Sequence, residues 1–398
     1  MKKRVGLFLA IEPTWGGAFQ YDLSILDAVA QFPRDEIEVI VGYSHDSWLK
    51  YLDRYNFKNV PIPLGYWGRF FGQLLHCSGT STAIWRAVSP YFHPTVRAIM
   101  REKCDLWIFP SQDPWGYLTP VPALATIHDL MHRYERSFPE IGTNWQYAWR
   151  EWHFKNTCRW SRGILVDSQL GKQHILDSYR IDPSRLHVLP FIAPSYLIGE
   201  KIESATIPEI YLPKKFLLYP AQFWEHKNHK RLIHAISLLK SRYPDIKLVL
   251  AGAKKNEYRS IQSLVIQLDL VDDVIFLGYV SDNAIGLLYR RARAMIMPTF
   301  SGPTNIPPLE AMKSGCPSAV SNIYAMPEQT KGAALLFDPE SVEDMASAMA
   351  KLWEDDELCR ELSERGKIVN SEWTKEHFDT CFFEILLEVL SRNGNPVT

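Results

Sequence analysis

Short apolar runs alternate with segments of helical period along most of this chain. That alternation restricts the fold to parallel sheets covered on both faces by helices. In the first half the strand-length runs are Arg4–Ala10, Glu38–Gly42, Leu106–Phe109, Ala123–Ile127, Gly163–Asp167 and Leu186–Pro190. In the second half they are Phe216–Pro220, Lys247–Ala251, Val274–Leu277, Ala294–Met297 and Ser318–Val320. Helical period marks Asp22–Gln31, Tyr91–Lys103 and Trp145–Arg159, then His229–Arg242, Tyr258–Leu268, Asn283–Ala292 and Pro308–Ser314. Between the two sets, Ala193–Pro213 is rich in turn formers and charge without a clean period, and it reads as a linker. The expected organisation is an α/β chain with a Rossmann-like domain over 1–192, a linker over 193–213 and a second Rossmann-like domain over 214–374. A last segment, 375–398, carries Phe378, Phe382, Phe383, Leu386 and Leu387 on one helical face.

Bulk properties narrow the function. The 398 residues are 46% hydrophobic with a formal net charge of −1, enough apolar material for two cores and no basic excess for a nucleic-acid partner. The six cysteines lack CxxC spacing and read as reduced thiols of a cytoplasmic protein, neither a disulfide frame nor a zinc site. The apolar run Val5–Ile11 is too short for a signal peptide or a membrane span. No carboxylate cluster or histidine array suggests a metal, so no metal and no cofactor are expected.

The segment from Phe300 to Ser321, FSGPTNIPPLEAMKSGCPSAVS, carries the densest chemistry. A strand runs through a turn-rich loop (Ser301, Gly302, Thr304, Asn305) into a helix whose first turn tolerates Pro307 and Pro308. Such a helix start presents main-chain amides and a positive dipole end, which suits an anion. Glu310, about one turn inside, suits polar hydroxyls. A diphosphate beside amides and a carboxylate beside hydroxyls describe a nucleotide-sugar site. Other candidates follow strand ends, where ligands of open parallel sheets bind. They are the Gly16–Gly17 turn, His128 with Asp129 placed to orient its ring, Lys227 on the loop Ala221–Asn228, Gly252 after the strand Lys247–Ala251, and Tyr279–Val280.

The string NIPPLEAMKSGCPSAVSN resembles the donor segment of the family 4 retaining glycosyltransferases, whose fold is GT-B. TIHDLMHRYERSFP resembles the family's HD segment, and the glycine pair and the loop ending in Lys227–Asn228 match two further motifs. The resemblance is dense from about Gly163 to Ser321 and sparser before it. It implies two Rossmann-like domains with parallel sheets facing across a cleft, and a C-terminal helix crossing back to the first domain. It also implies that Lys227, Gly16, Gly17, Thr304, Asn305 and Ile306 meet the donor's diphosphate and sugar, that His128 touches the sugar, that Glu310 holds ribose, and that main chain around Tyr279 and Val280 meets the base. Two positions depart from the family. Gln222 stands where an arginine is common, with His226, Arg231 or His229 as substitutes, and Gly302 stands where a first glutamate is common.

The implied activity is retaining transfer of a sugar from a nucleoside diphosphate to a glycan or polyprenyl-linked glycan acceptor. Surface polysaccharide or lipopolysaccharide assembly in the cytoplasm is the usual setting. Other readings fit the same residues: a GT-B nucleotide-sugar epimerase or a glycogen-synthase-like polymerase, and an inactive scaffold or glycan-binding partner. The stretch Tyr66–Arg97 interleaves aromatic residues with arginine. It is expected to pack beneath a long loop, with contact to an anionic membrane face or stacking on sugars as the alternatives.

Overall fold

Among the described residues of the computed structural model every strand pairing is parallel, in a seven-stranded and a six-stranded sheet. The structure describes residues 2–12, 16–64, 81–141, 144–197 and 212–392, so Trp67, Arg69, Phe70 and Phe71 and most of the expected linker lie outside the described residues. The first sheet holds β1 (Lys3–Leu9), β2 (Ile37–Tyr43), β3 (Lys58–Pro61), β4 (Leu106–Phe109), β5 (Ala123–Thr126), β6 (Gly163–Val166) and β7 (Leu186–Val188) in the order β3-β2-β1-β4-β5-β6-β7. The second holds β8 (Leu217–Pro220), β9 (Leu248–Ala251), β10 (Val274–Gly278), β11 (Ala294–Met297), β12 (Ser318–Ser321) and β13 (Leu335–Phe337) in the order β10-β9-β8-β11-β12-β13. Both sheets are doubly wound, with the order reversing between β1 and β4 and between β8 and β11.

Central strands such as LWIF and AMIM are buried at every residue, because helices cover both faces of a parallel sheet. The expected strands fall where the apolar runs placed them. The two that the sequence did not signal are edges: β3, which carries Lys58, Asn59 and Pro61 on exposed backbone, and the three-residue β13. β3 is polar and exposed along most of its length and so carries no apolar run to read, and β13 is only three residues long within the apolar stretch Ala333–Phe337.

The chain divides into two compact units. One comprises Met1–Arg133, Asn144–Pro190 and Lys375–Thr398, and the other Tyr134–Thr143 and Phe191–Thr374. The segment Tyr134–Thr143, which the sequence grouped with the first domain, belongs to the second unit. Its Phe138 ring stacks on Phe300 at 5.5 Å, and Glu140 accepts the His226 N–H at 2.9 Å.

In the first unit the final helix, Lys375–Ser391, buries Phe378, Phe382, Leu386 and Val389, a stripe three and four residues apart. Phe382 and Phe383 meet Phe32 at 5.8 and 5.1 Å. Leu387 is 42% exposed, since nine residues beyond Phe378 a helix has turned to its opposite side. Among the described residues no helix is long and apolar enough to cross a membrane.

Candidate functional site

In the second unit the crevice beyond β8 and β11 is framed by the two connections leaving those strands. The β8 connection ends in a short 3₁₀ turn, Glu225–Lys227, and the helix His229–Lys240. Local chemistry fixes its shape. The Tyr219 hydroxyl donates to the Lys227 carbonyl at 2.9 Å. Asn228 adopts the left-handed conformation (φ 60°) and donates through Nδ2 to the carbonyls of Pro298 and Pro339, each at 2.9 Å. Asparagine tolerates that backbone better than most residues. Asn228 therefore ties the β8 connection to the start of the β11 connection. The result places Lys227 Nζ 3.4 Å from Asn305 Oδ1, at the start of the helix Ile306–Ser314.

Gly252 supports the other end of the same loop. A Cβ there would lie 2.0 Å from the Ala221 carbonyl oxygen, so only glycine lets the end of β9 approach Ala221–Gln222. Gln222 itself accepts the Trp224 indole N–H at 2.9 Å. His229 does not stand in for the cation absent at that position. It is 1% exposed, its ring lies against Phe223 and Tyr219, and burial, with Lys227 and His226 adding to it, pushes its pKa down to about 3. His226 Nδ1 is bound to Glu140 at 2.6 Å, and Arg231 lies over the Phe300 ring at 5.2 Å. Burial acts to raise the Glu140 pKa, but the His226 ring and main-chain N–H outweigh it and hold the carboxyl at about 2.

At the helix start the cradle of amides is narrower than the sequence suggested. The Asn305 N–H donates to Gln329 Oε1 at 3.0 Å, and Gln329 Nε2 donates to the Asn305 carbonyl at 2.6 Å. Pro307 and Pro308 bring no N–H, so beyond Asn305 only Ile306 supplies one to the first three helical positions. Thr304 and Asn305 are half-buried and Ile306 is buried.

Gly302 has φ +100°, and a Cβ there would stand 2.9 Å from Asn305 Nδ2 and 3.0 Å from the Thr304 carbonyl oxygen. The missing acid is thus accompanied by a backbone that excludes it. Gly302→Glu is expected to lower stability by about 1–3 kcal/mol without improving donor binding, which thermal denaturation with and without nucleotide would measure.

Glu310 is 6% exposed and both of its carboxylate oxygens are engaged: Tyr289 donates to Oε2 at 2.6 Å, and Tyr196 donates to Oε1. Burial raises the Glu310 pKa above the ordinary carboxylate range, against the opposing pull of the two hydroxyls. Tyr279, 69% exposed, and half-buried Val280 follow β10 in the same unit. The sequence singled out neither tyrosine on Glu310, nor Gln329, nor Glu140. Tyr196 lay inside what read as linker, and none of the four stands in a motif.

In the first unit, Gly16 has φ 60° and ψ −126°, a backbone suited to glycine, and it precedes the helix Gly17–Val29 beyond β1. His128 lies beyond β5. Its N–H donates to Gln112 Oε1 at 2.6 Å, and the Tyr21 ring meets it edge-on at 4.9 Å. Asp129 beside it accepts the Met131 N–H through Oδ1 at 3.0 Å, capping the turn that follows. Burial pushes the His128 pKa down to about 4, so the ring is a neutral donor–acceptor and not a cation. The protonated form is favoured only below that value. The His128 imidazole resonances are therefore expected to show no titration between about pH 5.5 and 8 when followed by NMR.

Two family models match the chain, "Glycosyltransferase Family 4" over residues 22–191 and "Glycosyl transferases group 1" over residues 200–369. The chain belongs to glycosyltransferase family 4. Among curated proteins similar to this chain, the serotype-specific mannosyltransferase WbdA of Escherichia coli is 29% identical over 226 residues, 54% of this chain and 27% of that protein. The O-antigen chain mannosyltransferase RfbU of Salmonella typhimurium is 26% identical over 228 residues, 57% of this chain and 60% of that protein. The chain thus matches about a quarter and three fifths of the length of these relatives. The solved structure of Anabaena HepE in complex with UDP and glucose superposes with a TM-score of 0.74 at 15% identity, covering 97% of this chain and all of that one. The fold of this family 4 member is GT-B.

Proposed function

We propose that this protein is a retaining glycosyltransferase that moves a sugar, mannose first among candidates, from a nucleoside diphosphate to a glycan or lipid-linked glycan of a surface polysaccharide. The observation that carries the reading is the convergence of Lys227 Nζ on Asn305, at the start of the very helix that buries Glu310. A positive group and a helix start serve a leaving diphosphate, and a carboxylate one turn further in serves hydroxyls. The names of the relatives support mannose and O-antigen-type acceptors. Neutral His128 suits a hydrogen bond to a sugar hydroxyl. With Lys227 and the helix dipole balancing the diphosphate, turnover is expected to need neither a metal nor a cofactor. Cytoplasmic assembly, peripheral to the inner membrane face, completes the reading.

The test is to incubate the purified protein with GDP-mannose, UDP-glucose and UDP-N-acetylglucosamine, with and without EDTA, and to follow nucleoside diphosphate release and donor-dependent thermal stabilisation. Release with acceptor is expected. Stabilisation without release would point to the scaffold, and isomerised donor without acceptor to the epimerase.

A further inference from the structure

The two tyrosines on Glu310 are not equivalent. Tyr289 is fully buried in the core of the second unit, on the helix Asp282–Arg291. Tyr196 is half-buried and stands on a three-residue 3₁₀ turn, Ser195–Leu197, packed against Asp282–Arg291 and Ile306–Ser314. Of the three groups Tyr196 alone is not fully buried, so it is the one that could yield to a ligand reaching the carboxylate. We propose that Tyr196 is a place-holder: its hydroxyl occupies Glu310 Oε1 in the empty protein, and a ribose hydroxyl of the bound nucleotide replaces it, releasing the Ser195–Leu197 turn.

The chemistry of exchange is favourable. A buried carboxylate oxygen left without a donor costs free energy, so an empty site of this depth needs an internal partner. A tyrosine hydroxyl and a ribose hydroxyl are the same kind of donor to the same acceptor. Replacing one with the other keeps Glu310 satisfied throughout, and the lost tyrosine contact is subtracted from the affinity for nucleotide. Tyr289, locked by core packing, stays in place and holds the carboxylate in its rotamer.

This inference rests on the proposed nucleotide site, and the experiment separates the two. Affinities for UDP and GDP would be measured by calorimetry for the wild type, Tyr196→Phe, Tyr289→Phe and Glu310→Gln. Tyr196→Phe is expected to bind the preferred nucleotide severalfold more tightly while melting at a lower temperature. Tyr289→Phe is expected to lose stability without any gain in affinity. Hydrogen exchange at Ser195–Leu197 is expected to speed up in the wild type when nucleotide binds. Unchanged or weaker binding by Tyr196→Phe, or a turn that becomes more protected, would overturn the place-holder even if Glu310→Gln abolishes binding as the site requires. Binding indifferent to Glu310→Gln would remove the site itself and the place-holder with it.

Discussion

Lys227→Ala is expected to lower kcat/KM by roughly 30- to 1,000-fold, about 2–4 kcal/mol of transition-state stabilisation, the range found when a preorganised donor to developing charge is removed. The size follows from how firmly this ammonium is placed. Its main chain is fixed by the Tyr219 hydroxyl, the next residue bridges two carbonyls, and Nζ lies 3.4 Å from Asn305. The loss should fall mainly on kcat, because charge on the diphosphate grows as the sugar bond breaks. Lys227→Arg, which keeps the charge but changes its shape, should recover part of the rate. Initial-rate kinetics with the preferred donor measure both. An unchanged kcat/KM for Lys227→Ala would remove this residue from the site.

Glu310→Ala is expected to produce the second large effect, and on two quantities. Truncation leaves the Tyr196 hydroxyl without the Glu310 acceptor and the fully buried Tyr289 hydroxyl with only the longer 3.4 Å bond to the Pro307 carbonyl, for a stability loss of about 1–3 kcal/mol. It also removes the only acidic residue on the helix Ile306–Ser314, so donor binding should fall by a further amount of similar size. Glu310→Gln separates the two: it keeps the volume and one acceptor oxygen, so most of the melting temperature should return while nucleotide affinity stays low. Thermal denaturation and calorimetric titration with UDP and GDP read the two terms independently. If Glu310→Gln binds nucleotide like the wild type, the carboxylate serves only the two tyrosines.

Much of the architecture was legible because it is written in periodicity. A strand buried on both faces must be apolar along its length, as at Leu106–Phe109 and Ala294–Met297, and a covering helix must repeat its apolar residues every three or four positions. The edge β3 escaped because an exposed strand needs no such run, and β13 because three apolar residues are too few to stand out as a strand. The candidate site was legible where its chemistry is local. The proline pair at the helix start, Lys227–Asn228 at the loop end and Gly252 at a strand terminus each stand beside the structure they shape.

By itself the sequence determined two doubly wound units and the strand–loop–helix that carries Glu310. These depend on the order of apolar, polar and turn-forming residues within a dozen positions. Tertiary structure alone decided what Glu310 touches. Tyr196 reaches it across 114 positions of sequence, Gln329 takes the Asn305 amide across 24, and Glu140 reaches His226 across 86. Only the folded backbone shows that Gly302, at φ +100°, has no room for an acid. Burial is encoded one residue at a time, but hydrogen-bond partners are set by which strands become neighbours, and that order is fixed only when the whole sheet closes.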